Sequence, residues 1–420
     1  MTSFTLPCGL RVVLAPSATE VVYAGVAVAC GTRDELDSES GMAHLVEHMT
    51  FKGTSRLSSL QILNRMESVG GDLNAYTGKE ETIYYSIFLR QHLRRAIPLL
   101  LDIVFNSTYP QAELEKEREV VIDEIESYND SPAELIYDDF EALLFPNHPL
   151  GRNILGKAER LREYGSEDLR AFVHRNYRPS RAVLFVKGKV TEEEVKKILR
   201  SYNIEEDALK GQSTLNPGQR PGYMSTEDNT PCKGKSSDSS LYMLKKDCHQ
   251  AHVMLGAHAY AATDPRYMGL FLLSNLLGGP AMNSRLSLAL RERKGLVYTV
   301  ESAVTAYTDT GVWSVYFGCD HDDVQRCLRL VRRELHRLCD APLSPSALAT
   351  AKRQLKGQLG VANDNFENVA LGMAKYYLHY DEVKSLSERF AEIDALQPSQ
   401  LHDIALEVMN PENLTILVYQ

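Results

Sequence analysis

The stretch Gly41-Met-Ala-His44-Leu-Val-Glu47-His48 places three reactive side chains among apolar neighbours. The apolar setting predicts a helix, on which residues four apart lie one turn above each other on one face. His44 and His48 have that spacing, so two imidazole nitrogens can be offered to one metal ion. Glu47 stands beside the second histidine, where a carboxylate can reach a metal-bound water and take its proton, as the general base of a hydrolase must. Zinc suits such ligands, one ion per chain; it lowers the pKa of water to about 7 and polarises a carbonyl as a Lewis acid. Twelve histidines in 420 residues also allow an H-x-x-E-H pattern with no metal behind it. A third ligand must therefore be sought elsewhere in the chain.

The acidic stretch from Glu113 to Glu126 is the place to look. Acids and apolar residues interleave there at helical spacing, which puts Val120, Val121, Glu124 and Ile125 on one face and Glu113, Glu115 and Glu119 on the wet side. Glu117 and Glu124 are two turns apart and project from nearly the same side. Two readings follow from these residues: a solvated acidic helix, or a helix that turns Glu117 and Glu124 together towards the histidine pair.

The inverted motif, with Glu124 lying 76 residues beyond His48, resembles the pitrilysin or insulinase family of zinc metallopeptidases, the inverzincins. The flanks Gly41-Met-Ala-His-Leu-Val-Glu-His-Met-Thr-Phe-Lys-Gly-Thr54, Gly70-Gly-Asp-Leu-Asn-Ala-Tyr-Thr77 and Glu117-Arg-Glu-Val-Val-Ile-Asp-Glu124 look most like its two-domain subgroup, which includes mitochondrial processing peptidase. The resemblance implies zinc ligation by His44, His48 and Glu124, with Glu47 as base and Glu117 as a carboxylate behind the ligands that orients them. It implies an endopeptidase acting on extended peptides or unfolded segments within a closed chamber. Its substrate would add as a further strand to an edge strand beside the zinc, bonded to the backbone of Ala75 while Asn74 helps to hold the scissile carbonyl. Read without the resemblance, Leu73, Ala75 and Thr77 are alternating positions of an ordinary strand. In the second half, Leu290-Arg291-Glu-Arg-Lys-Gly295-Leu-Val-Tyr298 reads as a helix with a glycine stop leading into a strand. On pattern alone Arg291 is a surface cation and Tyr298 fills the strand; the resemblance implies that both contact substrate.

Around these residues the chain must supply scaffolding. Short strands are expected at Phe4 to Leu6, Leu10 to Leu14 and Val21 to Cys30, before the metal helix, which Ser38-Glu-Ser40-Gly41 opens with a capping-type entry. An amphipathic helix from Ser58 to Val69, strands at Asp72 to Tyr76 and Thr82 to Phe88, and helices over 90–105 and 111–128 follow. Asn176 to Val186 finishes the first half, with a helix to Tyr202 behind it. Residues 205–246 are rich in turn formers and poor in large apolar groups, the composition of a linker. The chain then starts over: Gln250 to His258 is a strand and Asp264 to Leu277 a helix where the first half has its metal helix. Asn410 to Val418 closes the second half as Arg178 to Val186 closes the first. The expected fold is α+β, two tandem homologous α/β-sandwich domains made by internal duplication, over 1–204 and 247–420.

Composition adds exclusions. A net charge of −10 without an evident Lys/Arg cluster argues against nucleic acid. No run approaches the length of a membrane span, and the N-terminus lacks the charge and apolar stretch of a signal peptide. Seven cysteines without a C-x-x-C pair argue against a disulfide framework, and a cytoplasmic location is expected. Because the zinc motif and the Arg291–Tyr298 pair lie in different halves, the resemblance implies a homodimer with peptide substrates, or a heterodimer with a related subunit. The competing reading is a non-catalytic assembly subunit of the same fold.

Overall fold

Runs such as Val12-Val-Leu14 and Ala182-Val-Leu-Phe-Val186 are apolar at successive positions, the pattern of strands covered on both faces. The computed structural model, which describes residues 1–202 and 240–420, places both runs inside a sheet. Its strands are β1 (Thr2–Thr5), β2 (Arg11–Pro16), β3 (Val21–Val28), β4 (Asp72–Thr77), β5 (Thr82–Leu89) and β6 (Ala182–Gly188), in the order β1-β2-β6-β3-β5-β4. Only β2 and β6 run parallel. A second sheet holds β7 (Ser240–Leu244), β8 (Ala251–Ala259), β9 (Val297–Ala306), β10 (Gly311–Cys319) and β11 (Thr415–Tyr419), in the order β7-β11-β8-β10-β9, with β7 and β11 its parallel pair. The series β2-β6-β3-β5-β4 and β7-β11-β8-β10-β9 therefore match strand for strand, and the duplication expected from the sequence is present in the topology.

The helices of the first half are α1 (Met42–Thr50), α2 (Ser59–Glu67), α3 (Leu93–Asn106), α4 (Gln111–Asn129), α5 (Pro132–Leu144), α6 (Ala158–Leu161), α7 (Ser166–Asn176) and α8 (Glu192–Tyr202). Those of the second half are α9 (Tyr267–Gly278), α10 (Val324–Cys339), α11 (Pro345–Ala362), α12 (Phe366–Tyr380), α13 (Leu386–Ala395) and α14 (Pro398–Val408). Two compact units result, and their limits differ from the contiguous halves expected. Among the described residues the first unit takes 1–127, 152–202 and 363–383, and the second takes 128–151, 240–362 and 384–420. Most of the expected linker, 205–246, lies outside the described residues. Its end, Ser240–Leu244, is strand β7, the counterpart of β2. Five residues of strand behind a Ser-rich run carry too weak a pattern to stand out from the turn formers.

Each sheet is covered on both faces. In the first unit α3 lies against β3 and β5, while Ala370, Met373, Ala374 and Tyr377 of α12 bury Val13, Ala27, Ile83, Val183 and Phe185 on the other side. Polar contacts fasten α12 there. The buried Glu81 accepts from Lys375 (2.8 Å) and His379 (3.1 Å), which hold its carboxyl below the usual range although burial alone would raise it. In the second unit Ile136, Phe140 and Leu144 of α5 meet Met254, Val312, Tyr316 and Leu417, and the opposite face, with Trp313, Val315 and Phe317, packs on the remaining helices. The solvent side of α10 carries Arg326, Arg329, Arg332, Arg333 and Arg337, all exposed. This basic row runs against the expectation of no such cluster; helical spacing assembles it, and the overall negative charge concealed it.

The entry to α1 also differs from expectation. No side chain of Ser38 to Ser40 caps it: the N-cap is Gly41, at φ +81°, without a side-chain bond. The first N–H groups of a helix have no partner within it, and here Glu35 accepts from Gly41 (3.3 Å) and Ala43 (2.9 Å). Burial pushes Glu35 up to about 8 against the pull of those donors. Gly41 meets Gly156 backbone to backbone: a Cβ on Gly156 would stand 2.4 Å from Gly41 Cα, and one on Gly41 2.6 Å from the carbonyl oxygen of Leu155. Gly70 has a similar φ, +73°, with nothing within 4 Å. Positive φ alone costs an alanine about 1 kcal/mol, and forced overlap adds about 1 to 3 kcal/mol. Gly41→Ala and Gly156→Ala should thus each lose about 3 kcal/mol in urea unfolding and Gly70→Ala about 1; equal losses at all three sites would remove the close approach as the cause.

Candidate metal centre

α1 is buried along nearly its whole length, with only His48 partly exposed. Leu45, Val46 and Met49 are fully covered, and Thr50 returns its hydroxyl to the carbonyl of Val46. The helix packs against α7 and β4. Its polar face brings His44 and His48 together, ring centroids 4.7 Å apart and steeply inclined. α4 comes alongside, burying Leu114, Val121, Ile122 and Ile125. Val120, expected on that inner face, is half exposed because it lies about 100° round the helix from Val121.

From α4, Glu124 projects towards both rings: its Oε2 is 3.4 Å from His48 Nε2 and 3.8 Å from His44 Nε2. One ligand atom from each of His44, His48 and Glu124 can be chosen so that all lie within 4.8 Å of one another, the one such grouping of metal-binding side chains among the described residues. Glu117, two turns back, takes the other side of His48, its Oε1 3.0 Å from Nδ1. A carboxylate there keeps the proton on Nδ1 and leaves the Nε2 lone pair facing Glu124. Lys52 closes the row with Nζ 2.5 Å from Glu117 Oε2. Lys52 lies one turn beyond His48, where the sequence alone suggests the close of the helix rather than a part in the site.

The electrostatics favour a cation. Burial and the neighbouring His48 push His44 down to about 3, so its imidazole is neutral, the form that binds metal. Burial alone would lower His48 as well, but the hydrogen bond to Glu117 and the charges of Glu47, Glu124 and Glu117 outweigh it and raise the ring. Burial raises Glu47, with the Thr77 hydroxyl pulling the other way. Glu117 is held low by His48 and Lys52 in spite of its burial. Three carboxylates thus converge on His48 with one lysine to balance them, a donor set of nitrogen and oxygen that a divalent zinc ion fits in type, number and charge.

Glu47 is 9% exposed and accepts from the Thr77 hydroxyl through Oε2 at 2.5 Å. Thr77 ends β4, the edge strand of its sheet, which carries Asn74 opposite Tyr85 and Ala75 opposite Tyr84. The other side of β4 has no strand partner among the described residues. No signal in the sequence could have paired Thr77 with Glu47, thirty positions away. Arg291 and Tyr298 belong to the second unit. Arg291 sits in a turn wound as a π-helix, Ser287–Glu292, with its Nε 2.9 Å from Glu292 Oε1. Such turns are rare and recur at functional positions. Gly295 at φ +60° ends the turn as expected, and Tyr298 is 89% exposed on β9.

Residues 11–158 match the family model described as insulinase (peptidase family M16), and residues 165–355 the one described as peptidase M16 inactive domain. A protein of Bacillus subtilis (strain 168), named as an uncharacterized zinc protease, is 31% identical over 99% of this chain and 97% of its own. The mitochondrial-processing peptidase subunit beta of Rattus norvegicus is 31% identical over 94% of this chain and 79% of its own. Among solved structures, a protease from Helicobacter pylori shares the fold, with a TM-score of 0.88 at 23% identity, covering 100% of this chain and 99% of that one. Matched along almost its whole length by a zinc protease and in both halves by the family's models, the chain belongs to the insulinase family of peptidases, family M16.

Proposed function

We propose that this chain is a zinc-dependent endopeptidase that hydrolyses extended peptides or unfolded segments. The observation that carries the reading is the convergence of His44, His48 and Glu124 within 4.8 Å beside the carboxylate of Glu47. His44, His48 and Glu124 would hold the ion, which when bound supplies a Lewis acid that activates water and polarises a carbonyl. Glu47 accepts the proton of the attacking water and passes it to the leaving amine. Glu117 keeps His48 in the tautomer that presents Nε2. The open edge of β4 supports binding of substrate as an added strand, with the backbone of Ala75 as partner and Asn74 near the scissile carbonyl. Main-chain pairing of that kind selects extended segments. The region matched by the inactive-domain model, 165–355, contains none of the proposed ligands, so it does not weigh against them.

Zinc per chain by elemental analysis, together with cleavage of a quenched peptide, tests the whole reading. Glu47→Gln should keep its zinc and lose about 10²- to 10⁴-fold in turnover, because an amide fills the space but accepts no proton; near-normal turnover would remove Glu47 from the mechanism. Glu124→Gln should release the metal, since a neutral amide binds a dication weakly. Full occupancy of that variant at micromolar zinc would place the third ligand elsewhere.

The reading extends to assembly. Two relatives are named as a beta subunit, and Arg291 and Tyr298 come from the half of the chain that lacks the zinc motif. The second fact supports a homodimer in which the ligands and base of one chain work with Arg291 and Tyr298 of the other; the first favours the alternative, a heterodimer with a related subunit. An inactive Glu47→Gln chain mixed with an inactive Arg291→Ala/Tyr298→Ala chain should then regain activity on subunit exchange. A mixture that stays dead despite demonstrated exchange rules out shared sites.

A further inference from the structure

We infer that Thr77 is a positioning residue for the base: its hydroxyl engages Oε2 of Glu47 and so assigns the proton-accepting role to Oε1. The inference rests on Glu47 being the base, as proposed above. A threonine hydroxyl has one proton to donate. Thr77 lies opposite Thr82 across the β4–β5 pair, with the two hydroxyl oxygens 3.3 Å apart. Thr82 donates its own proton to the carbonyl of Cys30 at 2.9 Å, in a buried position. Thr82 thus has no proton left to give Thr77 and could only accept from it at 3.3 Å, whereas Glu47 offers a carboxylate oxygen at 2.5 Å, the distance of a charge-assisted bond, so the Thr77 proton goes to Glu47. Once that bond is made, Oε2 has its lone pair occupied in that direction. The carboxylate is pinned in one rotation about its terminal bond, which is otherwise soft. When Glu47 takes a proton it does so on Oε1, while Oε2, now carbonyl-like, still accepts from Thr77.

The same contact ties the base to the edge strand. Thr77 is the last residue of the strand that carries Asn74 and Ala75, three and two positions upstream. Its backbone is held by the ladder to β5, and its side chain by Glu47 on α1. A displacement of the strand would turn the carboxylate, so the strand proposed to receive the peptide and the group proposed to activate water are set by one hydrogen bond.

Thr77→Val keeps the β-branched shape and removes the hydroxyl, whereas Thr77→Ser keeps the hydroxyl. With zinc-loaded protein and a quenched peptide, Thr77→Val should lower kcat about 10- to 100-fold, leaving KM within about twofold and zinc per chain and melting temperature close to the parent's. Thr77→Ser should return kcat to within about threefold of the parent. In a Glu47→Gln background, Thr77→Val should cause no further loss, because residues that act as one unit are not additive. Parental kcat in Thr77→Val, a loss that follows zinc content, or an undiminished further loss in the Glu47→Gln background would each overturn the assignment. Thr77→Ala gives the same comparison should the valine form fail to fold. A fully active Glu47→Gln single variant would instead overturn the proposed function, which keeps the two failures apart.

Discussion

Burying ionisable groups on α1 is the constraint on which the first unit depends. A helix covered on nearly every side buries its apolar residues at no electrostatic cost, but His44 and Glu47 are buried with them, 7% and 9% exposed. A buried charge without a partner is expensive, so most polar groups at this helix are met by a group from elsewhere, while His44 Nδ1 is buried without a hydrogen-bond partner. Glu35 meets the first N–H donors, Thr77 meets Glu47, Glu117 meets His48, and Lys52 meets Glu117. These partners come from the loop before the helix, the end of an edge strand, a helix some seventy residues on, and the turn just after α1. The positions of β4 and α4 are in this sense consequences of what α1 buries.

The partners leave a surplus of negative charge. Glu47, Glu117 and Glu124 surround one histidine with a single lysine among them, and His44 is held neutral by its burial. A site of this kind is poorly satisfied by protein groups alone and well satisfied by a divalent cation. Glu124 contributes the least buried of the ligands, its side chain 46% exposed, so the centre is rigid on the α1 side and open on the α4 side. A hydrolytic site needs that asymmetry: fixed donors beneath, and room for water and a peptide above.

Duplication explains what the two units share and where they part. The strand series agree in order and direction, and α9 follows β8 as α1 follows β3. α9, however, is Tyr-Met-Gly-Leu-Phe-Leu-Leu-Ser-Asn-Leu-Leu-Gly, with no histidine, carboxylate, lysine or arginine to satisfy. The second unit accordingly has no counterpart of the carboxylate cluster among its described residues. Each unit completes its three layers with one helix from the other half of the sequence, α12 in the first and α5 in the second.

The local period of the sequence determined much of this. The four-residue spacing of His44 and His48 and the seven-residue spacing of Glu117 and Glu124 depend only on helical geometry, and the structure has both pairs on one face of their helices. The strands around Ala75, Val183 and Val253 were legible because each is a short apolar or β-branched run between turn formers. The resemblance carried by these motifs indicated the family. Contacts between residues distant in sequence were decided only by the tertiary structure, because no period records them. Glu35 as the cap of α1, Thr77 on Glu47 and the Gly41–Gly156 approach are of this kind. The exchange of α5 and α12 belongs here too, since an amphipathic helix states that one face is covered but not by which sheet. β7 was missed for a related reason: a five-residue strand gains its identity from its ladder with β11, at the far end of the chain.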